Sequence, residues 1–167
     1  MATEAQRAHI NALTAELYRY RSGLLYPPED VRQPQDSRDF SLTEHQAMTL
    51  LAGGGTIMFD CSETFAWVLK CAGIWPLSYP GYTGTDLDVC KPHYTNAREA
   101  LVGAGVVFGP GTGHHVGWVH VPDPKHGNPE IAGHGRPGFD IRTLSDLAAE
   151  QAGMGYPGVT FVSIAHL

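Results

Sequence analysis

Cysteine and histidine are the residues of this chain best suited to nucleophilic chemistry, with Cys61, Cys71 and Cys90 set among nine histidines. A cysteine attacks as its thiolate, and the first turn of a helix favours that form because unpaired backbone N–H groups and the positive dipole end stabilise negative charge. The segment CSETFAWVLKCAG puts Cys61, Phe65, Leu69 and Ala72 on one helical stripe, with Cys61 in the first turn and Gly73 where a left-handed C-terminal cap is wanted. Cys71 falls near the other end of that helix, where the dipole opposes ionisation. Cys90 lies in a turn-rich stretch with no helix start. Cys61 is therefore the candidate nucleophile, weighed against the usual fate of a free cysteine, burial as a small apolar side chain.

A thiol nucleophile needs an imidazole within reach, and that imidazole needs a third group to orient it. The run HHVGWVHV reads as a strand, so His115, Gly117, Val119 and Val121 face one way while His114, Val116, Trp118 and His120 face the other. The polar loop PDPKHGNP then joins Val121 to Glu130 in an antiparallel hairpin. Pairing Val121 with Glu130 sets Val119 opposite Ala132 and Gly117 opposite His134, which places His134 diagonal to His115 on the same face, at roughly 7–8 Å between backbones. The histidines 114, 115, 120, 126 and 134 also invite a zinc reading, but the helical H-E-x-x-H spacing and a cysteine pair are both missing.

Several elements must hold these groups. Thr3 with Gln6 has capping-box spacing, and Ile10, Leu13, Leu17, Tyr20 and Leu24 recur every three or four positions, so residues 3–22 read as a helix stopped by Gly23. A Pro-rich connector covers 26–39. Ser41 with Glu44 is read as a second capping box, opening a helix that ends before Gly53-Gly54-Gly55. Thr95 is expected to cap a short helix over 96–101. Strands are expected near 106–108, 115–121, 130–134 and 159–164, with a last helix over 144–151. Helices first and mainly antiparallel strands afterwards predict an α+β domain.

The 167 residues suit one domain, 1–167, in which 1–40 supplies a helix and the connector and 41–167 the catalytic core. A formal charge of −6 without any Lys/Arg cluster argues against nucleic acid or an anionic membrane as partner. An odd cysteine count without C-x-x-C argues against a disulfide framework. The N-terminal residues lack the charged-then-apolar layout of a signal peptide, so synthesis without export is expected.

Asp60-Cys61-Ser62, followed by Phe65, Val68, Leu69 and Ala72-Gly73-Ile74, resembles the nucleophile helix of the NlpC-type cell-wall cysteine peptidases, a papain-like superfamily found in bacteria and phage lysins. Val107-Phe108-Gly109 through His115-Val116-Gly117 resembles that family's glycine turn and histidine strand, and the likeness covers about residues 56–135. The resemblance implies a papain-like fold, an antiparallel sheet of six or fewer strands packed on the nucleophile helix. It also implies Cys61 as nucleophile, His115 as general base and His134 as orienter. Asp60 and Ser62 would stand beside the oxyanion, with Trp75, Tyr79 and Tyr82 along the cleft. It implies no metal or organic cofactor, a monomer acting on peptidoglycan stem peptides, and a phage lysin made in the host cytoplasm and acting on the wall. Three features depart from the family. His134 lies 19 residues after His115, where the family's third polar residue lies about twelve after the base, so the resemblance implies a longer hairpin here. Glu63 replaces a glycine beside the nucleophile, adding a carboxylate that disfavours a thiolate. The usual upstream tyrosine has only Tyr26 as a loose echo.

Overall fold

The computed structural model describes residues 2–28, 39–74, 83, 87, 88 and 90–164. Helix α1 spans Glu4–Arg19 and opens on the expected reciprocal cap, with the Gln6 N–H donating to Thr3 Oγ1 at 3.2 Å and the Thr3 N–H to Gln6 Oε1 at 2.9 Å. It ends three residues earlier than its apolar period suggests, where the chain tightens into a short 3-10 turn over Arg21–Gly23. Helix α2 spans Glu44–Ala52. Its cap is not Ser41 with Glu44 but Thr43 with Gln46, because Ser41 is taken into a preceding 3-10 turn whose Phe40 is buried. Helix α3 spans Cys61–Cys71 and α4 spans Leu144–Gly153. The helix expected after Thr95 is only a 3-10 turn, Ala97–Glu99, capped by Asn96.

Two short parallel strands, β1 (Leu24–Leu25) and β2 (Ile57–Met58), pair beside the helices. The main sheet has six strands: β3 (His93–Tyr94), β4 (Gly105–Phe108), β5 (His115–Val121), β6 (Glu130–Gly135), β7 (Gly138–Thr143) and β8 (Val159–Val162). Their order is β3-β8-β4-β5-β6-β7 and every neighbouring pair is antiparallel. The α+β class thus holds, while β3 and β7 are strands that the sequence reading left out.

The sheet is covered on both faces. Val107, Val116, Trp118, Ala132 and Phe139 pack with α1, α2 and α3, whereas Val106, Phe108, Val119, Ile131 and Phe161 pack with Leu147 of α4. That double cover explains why β5 reads V-G-W-V rather than alternating with polar residues. Helix α3 lies at the centre, buried from Cys61 through Leu69. Phe65 stacks on Trp118 at 6.0 Å between ring centroids, and the Trp118 indole donates to Thr14 Oγ1 at 2.9 Å, which ties α1 and α3 to β5. On its outer side Trp67 donates to the Leu42 carbonyl and Lys70 to that of Phe40. The end of α3 that carries Cys61 is fixed by these contacts, and the hydrophobic burial around it outweighs any local propensity.

Between β5 and β6 the pairing departs from expectation by one residue. Val121 stands opposite Glu130 as predicted, but Val119 faces Ile131 and Gly117 faces Gly133, because His120 is the extra residue of a β-bulge. A slip of one residue exchanges the faces of everything beyond it. His134 therefore shares the face of Trp118 and Ala132, and His115 shares the opposite face with Gly117 and Gly133.

Candidate active site

Cys61 is the first residue of α3 and is 7% exposed. The helix begins there because Asp60 is its N-cap: Oδ1 accepts the Glu63 N–H at 2.8 Å and the Ser62 hydroxyl at 3.0 Å. These bonds give Asp60 a positioning role and anchor the Ser62 side chain away from solvent. The remaining first-turn N–H groups of a helix have no intrahelical acceptor and form a local site for negative charge. The Glu63 carboxylate is buried beside them at 3% exposure.

A cleft of about 790 Å³ runs from this helix start to α4. Tyr26, Asp60, Cys61, Ser62, His114, His115, Gln151, Met154 and Tyr156 are among the residues that line it. His115 opens β5, stacks on Phe108 at 5.9 Å and lies across β6, where a side chain at Gly133 would begin 3.4 Å from its Nε2. A methyl group at Gly133 would meet the ring at van der Waals contact. The imidazole makes no hydrogen bond to a described residue. Burial, then the neighbouring His114 and His134 rings, push its pKa down to about 4, so it is neutral near pH 7. His114 stacks flat on Tyr156 at 3.5 Å and forms a wall of the cleft.

His134 does not orient His115 through a shared face, because the bulge at His120 has turned it inward. It is fully buried, with Tyr26 edge-on at 5.6 Å and Phe139 at 6.3 Å. Its Nδ1 lies 3.1 Å from Thr64 Oγ1, whose single proton is donated to the Asp60 carbonyl at 2.7 Å. The hydroxyl must then accept, so the neutral ring carries its proton on Nδ1. Nε2 has no well-formed hydrogen bond, although the Leu24 backbone stands close enough to favour protonation. Burial outweighs that contact and brings the pKa down to about 4. What His134 offers His115 is an electrostatic neighbour, one turn of α3 behind Cys61.

Asp60, Cys61, Ser62 and His115 line one cleft and His134 lies outside its lining, but α3 with Cys61 packs on the Trp118 face of the sheet whereas the His115 ring lies on the opposite face, against Phe108 and over Gly133. Trp75, Tyr79 and Tyr82 lie outside the described residues. Thr64 and Gln151 were not picked out from the sequence. Gln151 did carry a signal, since it continues the stripe of Leu144, Leu147 and Ala148 along an amphipathic helix. Among the described residues no three His, Cys, Asp or Glu side chains converge as metal ligands, and no helix is long and apolar enough to cross a membrane. No protein-family model, curated protein or solved structure matches the chain.

Proposed function

We propose that this chain is a papain-like cysteine peptidase of the NlpC type that hydrolyses a peptide bond in the stem peptides of bacterial peptidoglycan, in the manner of a phage lysin. The observation that carries the reading is a cysteine at the start of a buried helix opening on the same cleft as a neutral imidazole. In the reaction, His115 takes the Cys61 proton and the thiolate attacks the scissile carbonyl carbon. The oxyanion accepts N–H bonds from the first turn of α3, at Cys61 and Ser62. Collapse breaks the C–N bond, the leaving amine takes the proton from His115, and a thioester remains on Cys61. His115 then deprotonates a water that attacks the thioester, releasing the carboxylic acid and restoring the thiol. A depressed imidazole pKa weakens the base in the resting protein, but a thiolate alongside favours its protonated form and offsets part of that cost.

Turbidity of purified cell walls, followed with the wild type and Cys61→Ala, tests this directly: lysis is expected only from the wild type, and equal lysis by the variant rejects it. Iodoacetamide mapping at neutral pH runs beside it. Cys61 is expected to label, whereas Cys71, whose pKa burial and then Glu44 push up to about 12, is expected to stay unmodified. Mass spectrometry of the released muropeptides identifies the bond. The unbonded state of His115 and the inward turn of His134 favour one second reading, a wall-binding module on the same scaffold. In that case both proteins bind walls and neither lyses them.

A further inference from the structure

Strand β7 ends the sheet, with β6 on one side and no strand on the other among the described residues. In an antiparallel ladder the N–H and C=O groups of alternate residues point to the neighbouring strand and the others point away. The Ile141 N–H belongs to the outward set, since it donates to Asp140 Oδ1 at 2.8 Å. Phe139, two residues back, points the same way, and among the described residues no backbone bond reaches either residue from outside the sheet. The two faces of β7 are nevertheless covered. Phe139 and Ile141 pack inward with the cluster of α1 and α3, and on the other face Arg142 donates to Glu150 of α4 at 2.8 Å. What stays open is the edge itself, a row of backbone donors and acceptors of the kind that recruits another strand.

We propose that the outer edge of β7 is a self-association surface, through which two copies of this chain join their six-stranded sheets into one antiparallel sheet centred on Ile141. With Ile141 opposite Ile141 of the second copy, a twofold axis passes between them and the two residues exchange both N–H···O=C bonds. Positions 140 and 142 flank that axis symmetrically, so Asp140 stands directly opposite Arg142 of the second copy, and the same pair recurs across the axis. Asp140 and Arg142 share one face of β7, where both line the cleft, and each cross-strand pair therefore joins opposite charges. Asp140 gains a cation as it releases the Ile141 N–H, and the Arg142 guanidinium has donors left after Glu150. The pairing is independent of the peptidase reading and replaces the monomer that the family resemblance implies. A single strand pair is smaller than a permanent dimer interface, so the association is weak and depends on concentration.

Sedimentation equilibrium of the wild type, loaded from micromolar to millimolar concentration, is expected to show a monomer and dimer in exchange, with the dimer weakened by added salt. Asp140→Arg sets arginine opposite arginine at both symmetry-related positions and is expected to weaken association about tenfold or more. Combining Asp140→Arg with Arg142→Asp restores opposite charges across the axis and is expected to recover most of the lost affinity. Ile141→Pro removes the outward N–H without removing a bond to β6, and it is expected to abolish the dimer; it guards against a charge variant that fails to fold. A wild type that stays monomeric throughout overturns the surface, as does a dimer indifferent to both Asp140→Arg and Ile141→Pro. A folded double exchange that recovers nothing overturns the register. Wall lysis is scored separately, so the surface can fail while the peptidase reading stands.

Discussion

Acid should loosen this protein through His134 before it touches any carboxylate. The ring is fully buried and its pKa is brought from 6.5 to about 4, chiefly by burial. Between those values the unfolded chain binds a proton that the folded chain refuses, so stability rises with pH across the window and is lost as pH falls through it. For one such group the linkage relation gives a loss of about 2 kcal/mol between pH 7 and pH 5, and roughly 3 kcal/mol once both forms are protonated. His115, whose pKa is likewise brought down to about 4 by burial and then by the neighbouring His114 and His134 rings, acts in the same direction. Urea unfolding of the wild type and His134→Phe at the two pH values measures the term. Phenylalanine fits a site already bounded by Tyr26 and Phe139, and it strands no donor because the Thr64 hydroxyl keeps its bond to the Asp60 carbonyl. The variant should hold its stability at pH 7 and lose about 2 kcal/mol less than the wild type on acidification. An identical pH dependence in both proteins would refute the assignment of the acid-sensitive proton to His134.

Two further expectations concern the scaffold. Thr43→Ala should cost about 1 kcal/mol in a thermal or denaturant melt, because it removes the side-chain half of the α2 cap. Gly117→Ala should cost about 2 kcal/mol, since the new carbon would stand 2.5 Å from the Ala132 carbonyl oxygen across the strand pair, and backbone there has no room to retreat. Gly133→Ala, with its nearest neighbour the His115 ring at 3.4 Å, should cost less than about 1 kcal/mol by the same assay.

What could be read from the sequence was local. The helix of Cys61 was legible because its apolar stripe and Gly73 agree, and Gly73 does take a positive φ of 72°. The α1 cap was legible because Thr3 has no competitor. At α2 two overlapping patterns, Ser41 with Glu44 and Thr43 with Gln46, satisfy the same rule, and burial of Phe40 rather than propensity chooses the second. Strand β7 escaped because Gly138 and the Arg136-Pro137 turn looked like loop, although Phe139 and Ile141 already alternate inward.

The face of His134 was not legible, and the reason bears on the site. Alternation along β5 and a plausible hairpin gave a register that is right at Val121 and Glu130 and wrong by one from Val119 onward. One residue, His120, absorbs the difference. It stands between Val119 and Val121 in sequence, and even in the bulge its Nδ1 is buried without a hydrogen-bond partner among the described residues, with burial lowering its pKa. The same step that buries His134 behind Thr64 turns Gly133 to the opposite face of β6, where the His115 ring lies across the strand beside the cleft. The two imidazoles are consequently not a relay. One borders the cleft, and the other is buried against Thr64 of α3, one helical turn along from Cys61.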